Sequence, residues 1–175
     1  MVRRKQQSPR SSHPGEKPSS PVAVRNGWAI YEHPRFYEQI EQLYGEVEQL
    51  KAKDAIGYKS KKEAKLLDAI LKIELQIIPA DPANPRFRLG KALGEYEDWQ
   101  RAKFFDGRYR LFFRFSSVDK AIVVAWVNDE DSLRTYGSKT DAYHVFSGML
   151  QSGDPPSEWS ALLAQAKALK HRRGR

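Results

Sequence analysis

The chain has no cysteine and only four histidines among its 175 residues. Without thiols there is no disulfide framework, no thiolate metal site and no cysteine nucleophile, which fits a reducing cytoplasm. His13, His33, His144 and His171 never fall at metal-ligand spacing, and His144 reads as a surface or packing residue of a helix. No apolar run approaches the roughly 20 residues of a membrane span, and the polar N-terminus has no signal-peptide core. A soluble cytoplasmic protein with no membrane partner is expected. Also missing are a Gly-rich phosphate loop, a serine nucleophile elbow and a zinc signature. The single acidic run, Asn128-Asp129-Glu130-Asp131, reads as a solvated turn rather than an ion site. Nucleotide hydrolysis, metal hydrolysis and the usual hydrolase triads are therefore unsupported, and neither a cofactor nor a metal is expected.

What is plentiful is positive charge, at +8 overall. Its distribution matters more than its sum. Residues 1–25 hold six Lys/Arg and one acid, residues 167–175 hold five and none, and residues 26–166 hold nineteen against twenty-one, a net −2. The high isoelectric point thus belongs to the ends and by itself says nothing about nucleic acid at the body. Within the body, residues 86–114 hold eight bases and four acids, and that local clustering carries the argument.

The cluster centres on residues 99–115, WQRAKFFDGRYRLFFRF. Alternating runs on either side of Asp106-Gly107 predict a hairpin with Phe105 opposite Arg108, Lys103 opposite Arg110 and Arg101 opposite Phe112. One face then carries Trp99, Arg101, Lys103, Arg108, Arg110, Phe112 and Arg114. The other carries Ala102, Phe104, Tyr109, Leu111, Phe113 and Phe115, a suitable core layer. Like charges across a ladder cost roughly 0.2–1 kcal/mol a pair, so five cations on one face, interleaved with Trp99 and Phe112, point to a bound polyanion. The residues leave a second reading open, a solvated face neutralised by neighbours such as Glu97 and Asp98.

Around this hairpin the rest of the chain reads in order. Residues 1–21 are rich in Ser, Pro, Arg and Lys and are expected to be a disordered basic tail. A single domain is expected over 22–166, and a basic, frayed end over 167–175. Residues 24–31 read as a short strand with a turn or bulge at Asn26-Gly27. Pro34 starts a helix whose stripe is Tyr37, Ile40, Tyr44, Val47 and Leu50. A second helix is predicted from about 60 to 77, with Leu66, Ile70, Ile73 and Ile77 facing the core and Pro79 ending it. The two form an antiparallel helical hairpin. Residues 86–93 look extended. Residues 121–127, AIVVAWV, read as the central strand. A helix starting at Thr140 or Asp141 follows, with Asp141 as a dipole or capping residue, then a break at 153–156. A last helix is capped by Ser157 and bears Trp159, Leu162, Leu163 and Ala166.

Arg, Lys and Tyr remain as chemistry, and that set can cleave RNA. The 2′-OH is an internal nucleophile beside its phosphorus. An arginine pair can hold the phosphate and offset the charge that builds in the transition state. A Lys or Tyr can move a proton, and Lys103 facing Arg110 is placed to do so. DNA lacks the 2′-OH, which restricts this chemistry to RNA.

Several ordered blocks carry a family resemblance. They are Asn26-Gly27-Trp28-Ala29; Trp99, Arg101 and Lys103-Phe104; Gly107-Arg108-Tyr109-Arg110-Leu111-Phe112-Phe113-Arg114; Trp126 and Asn128-Asp129-Glu130; and Leu133-Arg134-Thr135-Tyr136-Gly137 with Lys139-Thr140-Asp141-Ala142-Tyr143. Together, from about 24 to 159, they resemble the YhaV toxins of the PrlF–YhaV type II toxin–antitoxin system. The resemblance implies an α+β, RelE-like fold, a helical hairpin packed on a twisted, mainly antiparallel sheet with C-terminal helices. It implies a ribosome-associated, metal-independent endoribonuclease, an mRNA interferase that inhibits translation. The implied partners are mRNA, the ribosome and a PrlF-like antitoxin of AbrB-like fold, with operator DNA reached only through the antitoxin complex. Carried over by motif, Arg101, Lys103, Arg110, Arg134 and Tyr143 are the implied catalytic residues, with Tyr136 competing for the place of Tyr143. Arg108, Arg114, Trp99, Phe112, Tyr136 and Lys139 are the candidate RNA contacts. A noncatalytic RNA- or ribosome-binding inhibitor, stacking bases on Trp99 and Phe112, is the alternative.

Overall fold

The computed structural model describes residues 20–133 and 138–171. Most of the expected 1–21 tail, and the expected sites Arg134 and Tyr136, lie outside the described residues.

Two short loops with left-handed backbone set the sheet. Asn26 (φ 50°) and Gly27 (φ 79°) turn β1 (Ala23–Arg25) into β2 (Trp28–Glu32), so the expected single strand is a two-residue hairpin with Arg25 opposite Trp28. Asp106 (φ 55°) and Gly107 (φ 74°) do the same between β3 (Gln100–Phe104) and β4 (Tyr109–Ser116). The Arg108 N–H donates to the Phe105 carbonyl at 3.1 Å. Both dipeptides fit the mirror-image turn that matches strand twist. The register is the expected one, with Lys103 opposite Arg110 and Arg101 opposite Phe112. The central strand is β5 (Ala121–Val127), buried along its whole length, in a sheet of order β1-β2-β5-β4-β3. The only neighbouring strands that run parallel are β2 and β5; a helical crossover leads from β2 across the sheet to β3, and the β3–β4 hairpin then returns to β5.

That crossover is α1 (Pro34–Lys53), α2 (Lys62–Lys72) and α3 (Ile78–Ala80). Between α2 and α3, Ile73–Ile77 widens into a π-helical turn. Pro79 therefore lies inside the last turn instead of ending the helix, as predicted. Its ring excludes the normal approach of a carbonyl one turn back, and the wider turn makes room. The helical hairpin covers one face of the sheet in a core that includes Ile30, Phe36, Ile40, Ile70, Leu111, Phe113 and Val124. Residues 86–93 are not a strand. Asn84 caps a short helical turn, Pro85–Phe87, and only Arg88 pairs with β3, opposite Gln100.

The other face is covered by α4 (Ala142–Ser152) and α5 (Trp159–Ala168). Their core holds Trp99, Phe112, Val123, Ala125, Trp126, Phe146 and Leu162. A bulge between Phe112 and Phe113 turns Ala125 and Trp126 to the same side. Trp126 then stacks on Phe146 at 5.7 Å and 3°. Asp141 caps α4 as expected, whereas α5 is capped by Glu158 and not Ser157. The Ser157 hydroxyl is taken by the Trp99 indole N–H at 3.1 Å. The end expected to fray is docked as far as it is described. Leu169 packs on the first core, and the His171 ring meets Tyr37 edge-on at 5.2 Å. No helix among the described residues is long and apolar enough to cross a membrane.

Candidate active site

β4 runs from the second core out to solvent, and its alternate residues record the passage. Arg114 is nearly covered, Phe112 fully buried, Arg110 5% exposed and Arg108 open. The site forms where α4 stops covering the strand. There the first turn of α4 lays Tyr143 over the two middle strands. Asp141 fixes that turn by accepting the Tyr143 N–H at 3.2 Å, and Phe112 backs the tyrosine ring edge-on at 5.9 Å.

The Tyr143 hydroxyl oxygen accepts from the Nε–H of Arg101 and from the Nε–H of Arg110, each at 2.9 Å. Three residues predicted from separate segments thus meet at one atom. The Arg110 guanidinium also lies 5.2 Å from the Tyr143 ring centre and donates to the Gly107 carbonyl. Arg101 is anchored on the carbonyls of Arg86 and Arg88. Lys103, directly opposite Arg110, is exposed on the same face of the strand pair.

Asn128, part of the acidic run and of one of the resemblance blocks, also shapes this site. It is 2% exposed. Its Oδ1 accepts the Arg110 N–H at 2.6 Å, and its Nδ2 donates to the Arg108 and Ser132 carbonyls, both at 3.0 Å. A side chain thereby extends the β4 ladder beyond β5 and fixes the backbone that aims Arg110. The signals in the sequence were a polar residue at the end of an apolar strand and its place in a resemblance block. On the opposite face, Gln39 of α1 clasps Val127 in the same way, donating to its carbonyl at 2.6 Å and accepting its N–H at 3.1 Å. The acids beside Asn128 are occupied. Asp129 caps the turn Glu130–Ser132, and Glu130 pairs with Lys62 at 2.8 Å. Among the described residues no three His, Cys, Asp or Glu side chains are grouped to hold a metal ion.

The expected RNA contacts divide. Arg108 and Lys139 are exposed. Trp99 and Phe112 are 0% exposed and stack within the second core, where Phe112 lies 4.2 Å from Phe146 and Trp99 lies edge-on to it at 5.0 Å. They are corrected to core residues, because the alternation that placed them on the basic face continues beneath α4 and α5. Arg114 is corrected too. It donates to the Ser157 carbonyl, lies 3.5 Å from Asp98 and faces the Trp159 ring at 5.9 Å, tying β4 to the segment before α5.

A family model described as a toxin with endonuclease activity, of a toxin-antitoxin system, matches residues 30–167. The chain is 50% identical over 144 residues to the Ribonuclease toxin YhaV of Escherichia coli (strain K12), a match covering 81% of this chain and 94% of that protein. It is similar to the same extent, 50% over 144 residues, to Toxin YhaV of Escherichia coli O6:H1. No solved structure matches the chain.

Proposed function

The chain belongs to the YhaV toxin family, and from that premise we propose that it cleaves mRNA at the ribosome by metal-independent attack of the 2′-OH. It is a ribonuclease toxin of a toxin–antitoxin system, so its substrate is RNA and its partner an antitoxin. The observation that carries the mechanism is the single Tyr143 oxygen bonded by both Arg101 and Arg110, beside an exposed Lys103.

In the reaction we propose, the 2′-oxygen attacks the adjacent phosphorus and the bond to the 5′-oxygen breaks. A cyclic phosphate and a 5′-hydroxyl result. Lys103, exposed on the strand face, takes the 2′ proton in its neutral amine form, since the ammonium has no lone pair to accept it. Arg101, half-exposed, contacts the phosphate and offsets its growing charge. Arg110 is too deeply buried to be the main phosphate ligand, so it holds Tyr143 and adds positive potential. Both arginines donate to the tyrosine oxygen, which fixes the hydroxyl between them. We assign it as the proton donor to the phosphate or leaving oxygen. Arg134, which the family resemblance implies is catalytic, is assigned to assisting the leaving oxygen. A cluster of cations repels a divalent ion, and the 2′-OH makes a metal-bound water unnecessary, which supports the metal-independent route.

We place the protein in the cytoplasm with a PrlF-like antitoxin of AbrB-like fold, which alone brings it to operator DNA. The noncatalytic alternative relied on Trp99 and Phe112 as stacking platforms, and both are buried. The test is cleavage of a defined mRNA in a purified translation system. The protein is first stripped with EDTA and the magnesium that ribosomes need is restored, with a ribosome-free control. Cuts by the wild type that are lost in Lys103→Ala and Arg101→Ala support the reading. Translation arrest without cuts overturns it.

A further inference from the structure

Beside the reaction centre lies a cavity of about 750 Å³ that the mechanism does not use. It opens between residues 92–96 and α4, and Tyr143 forms part of its wall. Its helical side is unusual. Tyr143, Phe146 and Leu150 point into the second core, while His144, Ser147 and Gln151 line the cavity at helical spacing. In a chain that is 30% charged, α4 reads AYHVFSGMLQS, without one Asp, Glu, Lys or Arg. A face selected only for solubility would carry such charges. This one carries an imidazole, a hydroxyl and a carboxamide, all groups that form hydrogen bonds. Across the cavity stands Tyr96, half-buried against the second core. Exposed Lys139 is also on the rim.

We propose that this cavity receives the nucleobase next to the scissile phosphate and sets the base preference of cleavage. The inference rests on Tyr143 lying at the reaction centre of a ribonuclease. An unstacked base is recognised by an aromatic face and by hydrogen bonds to its edges, and these are what Tyr96 and the His144, Ser147 and Gln151 stripe provide. The volume falls within the range of small-ligand sites, about 300–1,000 Å³. Lys139 and the arginines that meet at Tyr143 supply positive charge for the flanking phosphates. A charged peptide would instead find no Asp, Glu, Lys or Arg on the α4 side to pair with.

The test uses the full chain in the purified translation system with mRNAs randomised around the cut site, and sequences the new 5′ ends. The wild type is expected to prefer one base beside the cut. Gln151→Ala is expected to flatten that preference about tenfold, with preferences farther away retained and the melting temperature unchanged. Binding of an oligonucleotide with a 2′-deoxy residue at the scissile position is expected to weaken about tenfold in Tyr96→Ala and to recover in Tyr96→Phe. An unaltered base profile across these variants overturns the proposal, as does a loss confined to antitoxin binding. Failure of the catalytic reading looks different. Arg101→Ala would then keep full cleavage, while Tyr96-dependent binding of the 2′-deoxy oligonucleotide would still support the subsite.

Discussion

Two arginine N–H groups converge on the Tyr143 oxygen at 2.9 Å, and this limits what that side chain can do. Tyr143→Phe removes the shared acceptor and the donor proton while keeping the ring against Phe112. Cleavage is expected to fall on the order of a hundredfold with the fold intact, read by single-turnover rates beside the melting temperature. Wild-type rates in this variant would remove Tyr143 from the chemistry. Arg101, Lys103, Arg110 and Tyr143 are singled out by the family pattern of their blocks, and the structure brings Arg101 and Arg110 together at the Tyr143 oxygen. Trp99 and Phe112 were misread from the same alternation. Period-two patterning states which residues share a face, but not where a helix from far along the chain covers it. Phe112→Ala should therefore cost about 3–5 kcal/mol in urea unfolding, with RNA affinity of the folded fraction unchanged. A stacking platform would give the opposite pair of results.

At the level of elements, what was readable follows from local chemistry. Asp-Gly and Asn-Gly fix their turns without help from the rest of the fold, so the β3–β4 register was available in advance. The bulge at Ala125, the π-helical turn before Pro79 and the docking of Leu169 depend on distant partners and left no local signature. The N-terminus of α1 shows the same dependence. A histidine is not a usual cap, yet buried His33 accepts the Arg35 N–H at its Nδ1 at 3.2 Å. Its Nε2 lies 2.7 Å from Oε1 of Gln165 on α5. That arrangement needs the neutral ring. Protonating Nδ1 destroys the cap and puts a charge at the positive end of the helix. Burial lowers its pKa from the ordinary 6.5, outweighing the opposing pull of Gln165, Asp154 and Glu38, while Arg35 lowers it further. In the folded state His33 therefore stays neutral while the unfolded chain takes up a proton. Its contribution is complete above about pH 6.5 and is lost progressively as the pH falls below that value. His33→Asn keeps a cap without the titration. The drop in melting temperature between pH 7.5 and pH 5 should be smaller in this variant than in the wild type, by differential scanning calorimetry.

For the molecule as a whole, a sheet covered on both faces confines the functional groups to one rim, where β3 and β4 outrun α4. The covered body, residues 26–166, is net −2, so at long range it does not attract RNA. The local cluster acts only within about a Debye length, some 8 Å at physiological salt. Long-range attraction must come from the ends, which lie largely outside the family match at 30–167. We propose that the catalytic unit is the folded domain from residue 22 through the docked end at His171, and that the basic ends collect RNA for it. Residues 1–19 hold five Lys/Arg and one Glu. If all five bases meet phosphates, their removal should reduce the slope of log affinity against log salt by about 3.5. A truncation lacking residues 1–19 should then bind RNA more weakly at low salt and show a shallower salt dependence, measured by fluorescence anisotropy. Its cut sites should match those of the full chain if base selection belongs to the rim, as proposed. An unchanged slope would assign the phosphate contacts to Arg101, Lys103, Arg108 and the C-terminal bases instead. A shifted set of cut sites would mean that the N-terminal residues reach the reaction centre itself.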